Sequence, residues 1–241
     1  MTLDPIPLER LAFALVPALA VVALMRRWKV GAGKALYAFA RMFVQLLAIG
    51  YGLVYIFNAD SALIVLLILA AMSLAASWIA LNTVETGKRA LLPTSLASML
   101  AGGGVTLVFI LGGVLQLDPW YAPHVVIPIA GMTFSSSMTA VSLAAERLQA
   151  ELGNGAAPPA ARARAFQTAM IPIINSLFAV GFVALPGMMT GQILSGVSPL
   201  IAARYQIMVM CMMFSSAGLS TAAFLYLSRN LPVFAKTRAK E

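Results

Sequence analysis

Long apolar stretches separated by short polar connections are the feature that most constrains the fold of this chain. A helix needs about 20 mainly apolar residues to cross the roughly 30 Å hydrocarbon core of a bilayer. The sequence is 61% hydrophobic and only 10% charged. It therefore contains too few polar side chains to cover the surface of a water-soluble globule of 241 residues. We therefore predict an all-α integral membrane protein of about seven transmembrane helices. The predicted spans are approximately Leu8–Met25, Ala35–Phe57, Ser61–Asn82, Thr94–Leu117, Val125–Leu143, Phe166–Ser195 and Leu200–Leu227.

The distribution of basic residues predicts the orientation of these spans, because Lys and Arg are retained on the cytoplasmic side. Basic clusters follow the first, third, fifth and seventh spans, whereas Asn58–Asp60 and Asp118–His124 contain none. We therefore expect the N-terminus outside and the C-terminus in the cytoplasm. Because the other connections are short, we predict a single transmembrane domain over residues 1–241, with one longer cytoplasmic loop at about 144–165. The net charge of +8 does not indicate nucleic-acid binding, since the basic residues form no continuous face.

The sixth predicted span is too long for one straight helix. Pro186 and Gly187 remove a helical hydrogen bond and add backbone freedom, so we predict a broken helix there. Polar residues accompany the break, and it either lines a pathway or is a structural kink packed by its neighbours. Pro128 and Gly131 suggest a similar interruption of the fifth span, next to a run of hydroxyl side chains. The residues predicted to line a pathway are Arg41, Gln45, Ser135, Ser136, Asn175, Pro186, Gly187, Met188, Thr190 and Gln192.

Arg41 lies about a turn and a half inside the second span, with Gln45 on the same helical face. A charge at that depth is costly unless it is paired or hydrated. Arg41 therefore either extends its long side chain to the cytoplasmic interface or, with Gln45, lines a polar pathway.

Catalytic and metal-binding groups are missing from the spans. All eight acidic residues lie at or beyond span ends, and the single histidine, His124, is in an outer loop. We therefore predict neither an enzyme nor a bound cofactor, and the sequence identifies no metal site. A sulfur-rich stretch near Cys211 suits either core packing or a soft ion such as Cu(I). Three glycines, Gly102 to Gly104, favour close helix packing over phosphate binding.

Several long motifs resemble one known family, the FetB-like ABC transporter permeases. The similarity covers nearly the whole chain, including Arg41, Gln45, Gly50 and Tyr51 in the second span. That family includes bacterial iron exporters and plant permeases linked to aluminium tolerance. Asn175 and Phe178 depart from the Asp and Lys that we expect in many members. The motifs that carry the resemblance are residues 126–132 (VIPIAGM), 185–200 (LPGMMTGQILSGVSPL) and 204–207 (RYQI).

The resemblance implies the permease subunit of an ABC exporter that moves a metal ion, iron-like, or a small solute across the plasma (inner) membrane. It also implies a separate cytoplasmic ATPase that uses ATP, and a homodimer of this chain in membrane lipid. In such permeases a short helix in a cytoplasmic loop docks into the ATPase. A non-transporting scaffold or regulatory subunit and an ATP-independent channel are the alternatives. The candidate coupling residues in the 144–165 loop are Glu146, Glu151, Gly155, Pro158 and Arg162.

Overall fold

The computed structural model describes residues 7–57, 61–84 and 87–231, except for the side chains of Leu8, Leu53 and Val54. About 85% of the described residues are helical, and these residues form no strand. Two compact units follow one another in the chain, Met1–Ala59 and Asp60–Glu241. The α-helices are α1 (Leu8–Phe13), α2 (Leu15–Arg27), α3 (Ala32–Phe57), α4 (Ala62–Ala80), α5 (Lys88–Met99), α6 (Val105–Val108), α7 (Pro123–Gly153), α8 (Pro158–Ala179), α9 (Gly187–Leu194) and α10 (Pro199–Leu227).

The N-terminal unit consists of α1 to α3. The first predicted span is divided at Ala14, between α1 and α2. Pro17 explains the division, because its ring lacks an N–H for the Phe13 carbonyl and clashes with that carbonyl four residues earlier. α2 packs against α3, and residues of α1, α2 and α3 line an open cavity of about 390 Å³ with mainly apolar walls.

The C-terminal unit has its core where α7 and α10 cross, with α4, α5 and α8 packed around them. Phe224 on α10 and Val141 on α7 are fully buried there, as are Leu81 and Met99. Small residues on α7, among them Ala140, Ala144 and Ala145, let the helices approach closely. The core is thus an apolar one built on two long helices.

The three glycines of the fourth span lie in a π-helical segment, Leu100–Gly104, between α5 and α6. A second π-helical segment, Phe109–Val114, ends the span. A Cβ atom built on Gly102 would overlap the backbone of Ser220 on α10, so no larger residue fits. The wider helical turn and the missing side chain bring α10 against this segment. Close helix packing is confirmed at Gly102 and at Gly103, whose Cβ would lie 3.0 Å from Ser137 Oγ, but not at Gly104.

Replacing Gly102 by Ala is expected to destabilise the protein by about 1–3 kcal/mol, because the added methyl group meets backbone that can move only by separating the helices. Thermal unfolding in detergent measures the change. Gly104→Ala is the matched control, since the Cβ of that residue would make ordinary contacts of 3.8 and 3.9 Å with Leu100. Equal stability of both variants would contradict this account of the interface.

Five helical segments in the described part of the chain are long and apolar enough to cross a membrane. They correspond to the second, third, fourth, fifth and seventh predicted spans. The first and sixth do not form single uninterrupted helices. The five segments are Ala32–Gly52, Ala62–Thr83, Lys88–Val114, Pro123–Gly153 and Pro199–Asn230.

The predicted interruption of the fifth span is wrong. α7 continues for 31 residues through Pro128 and Gly131. A proline removes only one N–H, which here would have bonded to the His124 carbonyl. That carbonyl lies at the very start of α7, so the loss affects only the first turn of the helix. The packing of α7 against α4, α8 and α10 then outweighs that local loss.

The predicted cytoplasmic loop at 144–165 is also mostly helical. α7 extends to Gly153 and α8 begins at Pro158, so only residues 154–157 form a turn. Alanine, glutamate and arginine are strong helix formers, which explains why the charged segment continues both helices. Gly155, with φ +75°, ends α7, and Pro158 at the first position of α8 begins the next helix.

Candidate functional site

The helix break between α8 and α9 is a compact turn rather than a simple kink. α8 ends at Ala179, whose carbonyl accepts hydrogen bonds from the N–H groups of Val183 at 2.8 Å and Ala184 at 3.1 Å. Gly181, with φ +84°, allows this reversal. Pro186 precedes α9, and its carbonyl accepts from both the N–H and the hydroxyl of Thr190. The break predicted at Pro186 and Gly187 is confirmed, although it begins earlier, at Val180.

One cavity lies between α7, α8 and α10 and is lined by hydroxyl groups. We call this cavity of about 150 Å³ the hydroxyl chamber, and its polar lining comes from Ser135, Ser136, Thr139 and Ser176. Ser136 donates to the Met213 carbonyl, Thr139 to Ser135 and Ser176 to Pro172, each at 3.0 Å. Because these three hydroxyl protons are already donated to backbone, the oxygen lone pairs remain free to accept.

A larger cavity of about 370 Å³ opens at the helix break. We call it the thioether chamber, because four methionines line it together with Pro186, Gly187 and Gln206. It shares Ser176 and Met213 with the hydroxyl chamber. The two cavities are therefore neighbours on opposite sides of these side chains. The four methionines are Met132, Met188, Met210 and Met213.

A third cavity, of about 350 Å³, continues the row on the far side of Gln206. It shares Val180, Gln206 and Met210 with the thioether chamber, and Cys211 also lines it. Gln206 is 6% exposed, and its Oε1 atom has no hydrogen-bond partner. The Oε1 atom has almost no accessible surface, so this unpaired amide oxygen lies inside the wall between the two cavities and is open to neither of them.

The structure brings together five of the residues predicted to line a pathway. Ser135 and Ser136 line the hydroxyl chamber, and Pro186, Gly187 and Met188 line the thioether chamber. The other three predicted residues of the C-terminal unit do not line these cavities. They are Asn175, which is exposed on α8, Thr190, which bonds to Pro186, and Gln192, whose Oε1 is buried without a partner.

Arg41 and Gln45 lie in the N-terminal unit, on one face of α3, and both side chains are exposed. With the Gln45 amide turned so that its oxygen faces Arg41, that oxygen accepts from Arg41 Nε at 3.1 Å and from an Nη atom at 3.2 Å. The predicted placement of both residues on one face of this helix is confirmed. The choice between an interfacial and a pathway role for Arg41 stays open.

The turn between α7 and α8 is held by a buried carboxylate. Glu151 on α7 pairs with Arg147 at 2.5 Å and with Arg164 on α8 at 2.7 Å, and its side chain is only 8% exposed. Glu146 is exposed and Arg162 is half-buried. We call residues 144–165 the α7–α8 hairpin. Of its two predicted acidic coupling residues, Glu146 is therefore free to meet a partner, whereas Glu151 joins the two helices.

Met132 and Gln206 line the thioether chamber but are not among the predicted pathway residues. Both lie in motifs that carry the family resemblance, residues 126–132 and 204–207. Gln206 also had a local signal, because it is a single amide within a long apolar helix, whereas methionine commonly fills irregular gaps in cores. Among the described residues, no group of three or more His, Cys, Asp and Glu side chains is arranged to hold a metal ion.

The long apolar helices and the uncharged cavities between them define a multi-span integral membrane protein. Residues 8–231 match the model of an uncharacterised protein family, UPF0014, and the chain belongs to that family. No solved structure shows significant similarity to it.

Three relatives illustrate the range of the family. The UPF0014 membrane protein slr1647 of Synechocystis is 35% identical over 79% of this chain and 80% of its own. The probable iron export permease protein FetB of Escherichia coli is 35% identical over 91% of this chain and 90% of its own. The protein ALUMINUM SENSITIVE 3 of Arabidopsis thaliana is 32% identical over 81% of this chain and 76% of its own. The predicted resemblance to the FetB-like family is confirmed.

Proposed function

We propose that this chain is the permease subunit of an ABC exporter in the plasma (inner) membrane, acting as a homodimer with a separate ATPase subunit. The observation that carries the proposal is the row of three adjoining cavities in the C-terminal unit, beginning with the hydroxyl chamber. Irregular backbone at membrane depth is tolerated only against protein or a water-filled cavity. Val180, Ala184 and Pro186 of the turn line the thioether chamber, whereas Phe182, Val183 and Leu185 are exposed on the other side. The name of the Escherichia coli relative, a probable iron export permease, supports the same role.

The proposal includes one transmembrane domain of seven spans, with the N-terminus outside. The five long apolar segments supply five crossings, α1 with α2 a sixth, and α8 with its continuation through the break the seventh. The basic α7–α8 hairpin, which contains Arg147, Arg162 and Arg164, then lies in the cytoplasm as the positive-inside rule requires.

The α7–α8 hairpin is the proposed docking element for the ATPase. Both of its helices continue into the hydroxyl chamber, α7 through Thr139 and α8 through Ser176. Thr139 and Glu151 are separated along α7 by about 18 Å, at about 1.5 Å per residue. A push on the hairpin by the closing ATPase would therefore move two walls of the chamber at once.

Reconstitution with its ATPase tests the proposal. A tagged chain co-expressed with the ATP-binding-cassette subunit is expected to recover that subunit on purification, and ATP hydrolysis is expected to rise when both are in liposomes. An ATPase variant that cannot hydrolyse ATP is the control and should bind without turnover. Purification without any ATPase partner would favour a scaffold, and ion conduction by the chain alone would favour a channel.

A further inference from the structure

The thioether chamber has the chemistry of a soft-cation site. Four of its lining residues are methionines, and Gln206 is its only amide-bearing lining residue. Thioethers favour Cu(I) among the biological metals, whereas hard divalent ions favour carboxylate, carbonyl and water oxygens. None of the residues that line this chamber carries a charge.

The absence of charged residues from the chamber lining also favours a monovalent ion over a divalent one. The cost of moving an ion from water into a medium of low dielectric rises with the square of its charge, so a bare divalent ion pays about four times the cost of a monovalent one. Without a carboxylate in the wall, this cost is not offset by an opposite charge. A monovalent cation held by polarisable sulfur is therefore the ionic ligand that fits the chamber.

The hydroxyl chamber next to it supplies a second stage. Three of its four hydroxyl oxygens accept rather than donate, since the protons of Ser136, Thr139 and Ser176 are bound to backbone carbonyls. Oxygens of this kind solvate a cation or its remaining water molecules. Because Ser176 and Met213 belong to both chambers, an ion leaving the sulfur site meets these oxygens directly.

Resting on the permease role proposed above, we propose that the thioether chamber binds a soft monovalent cation of the Cu(I) and Ag(I) type. Met132, Met188, Met210 and Met213 supply the sulfur ligands. Binding involves no change of oxidation state. The chamber thus selects against the hard divalent ions that need oxygen-rich, charged sites.

Silver binding by the purified full chain tests this assignment, because Ag(I) mimics Cu(I) without redox chemistry. The measurement is isothermal titration in detergent, in a Cys211→Ser background, since that exposed thiol would bind silver itself. The combined variant Met132→Leu, Met188→Leu, Met210→Leu and Met213→Leu is expected to lose silver binding, because the side-chain volume is kept and the sulfur is removed. A control variant, Met138→Leu with Met208→Leu, changes two partly buried methionines outside the three cavities and should bind as the parent does.

The Gln206→Glu variant tests metal preference, which would not change if the residues of the chamber served only to pack the helices. The added carboxylate should shift the preference of the protein from Ag(I) toward Mn(II). Silver binding that is absent in the parent, or equal in the chamber and control variants, overturns the assignment. ATPase recovery and stimulation are measured on the same proteins: if they persist while silver does not bind, the substrate assignment fails and the permease role stands.

Discussion

Replacement of Gly187 by Trp is expected to stop transport while the protein still folds and assembles with its ATPase. Gly187 lines the thioether chamber at the first residue of α9, and a Cβ atom built on it meets nothing within 4 Å. A Trp side chain therefore fits there without displacing the backbone, and its indole ring is large enough to fill part of the cavity that Gly187 lines. Transport should fall by about tenfold or more, equal to an added barrier of about 1.4 kcal/mol.

The matched control is Gly191→Trp. Gly191 lies on the same short helix, one turn later, and its built Cβ also meets nothing within 4 Å, but it does not line the thioether chamber. Substrate uptake into inside-out vesicles, driven by ATP, measures both variants. Full transport by Gly187→Trp, or equal loss in the two variants, would assign the break to packing rather than to a pathway.

The sequence predicts the helical membrane fold well because lipid imposes a simple rule. Every backbone polar group in the bilayer must be satisfied within the segment, so about 20 apolar residues indicate a helix. The helix break was predictable for a related reason, since Pro186 followed by Gly187 within an overlong apolar stretch combines a missing N–H with backbone freedom. Its true start at Val180 was not, because the turn depends on the conformation of Gly181.

The errors at Pro128 and in the α7–α8 hairpin have one physical cause. In both places a local signal, a proline in one and a charged run in the other, indicates an interruption of the helix. The packing of that helix against its neighbours decides the outcome, and local sequence does not show that packing. Tertiary contacts commonly override such local preferences. Polar residues near the site were predictable from the sequence. The proximity of Met132 to Gln206 in one cavity was not, because they belong to different helices and no local period connects them.

The α7–α8 hairpin leads to the second large expected effect, which concerns Glu151. The carboxylate receives guanidinium groups from Arg147 on its own helix and from Arg164 on the next one. A Glu151→Gln substitution keeps the shape but removes the charge, which leaves the two guanidinium groups without the anion between them. The ends of α7 and α8 should then separate, and a docked ATPase should no longer move the two helices together.

Hydrogen exchange and ATPase stimulation measure the effect. Glu151→Gln is expected to speed amide exchange across residues 144–165 and to reduce stimulation of the ATPase by most of its value, whereas silver binding in the thioether chamber is kept. Glu146→Gln is the control, because that carboxylate is exposed on the same helix and its loss frees no buried partner. A double variant, Glu151→Gln with Arg164→Met, should be less impaired than the sum of the two single changes, because the two side chains act as one pair. Unchanged exchange in Glu151→Gln would show that the hairpin is held by helix packing alone, and coupling would then have to pass through exposed residues such as Glu146.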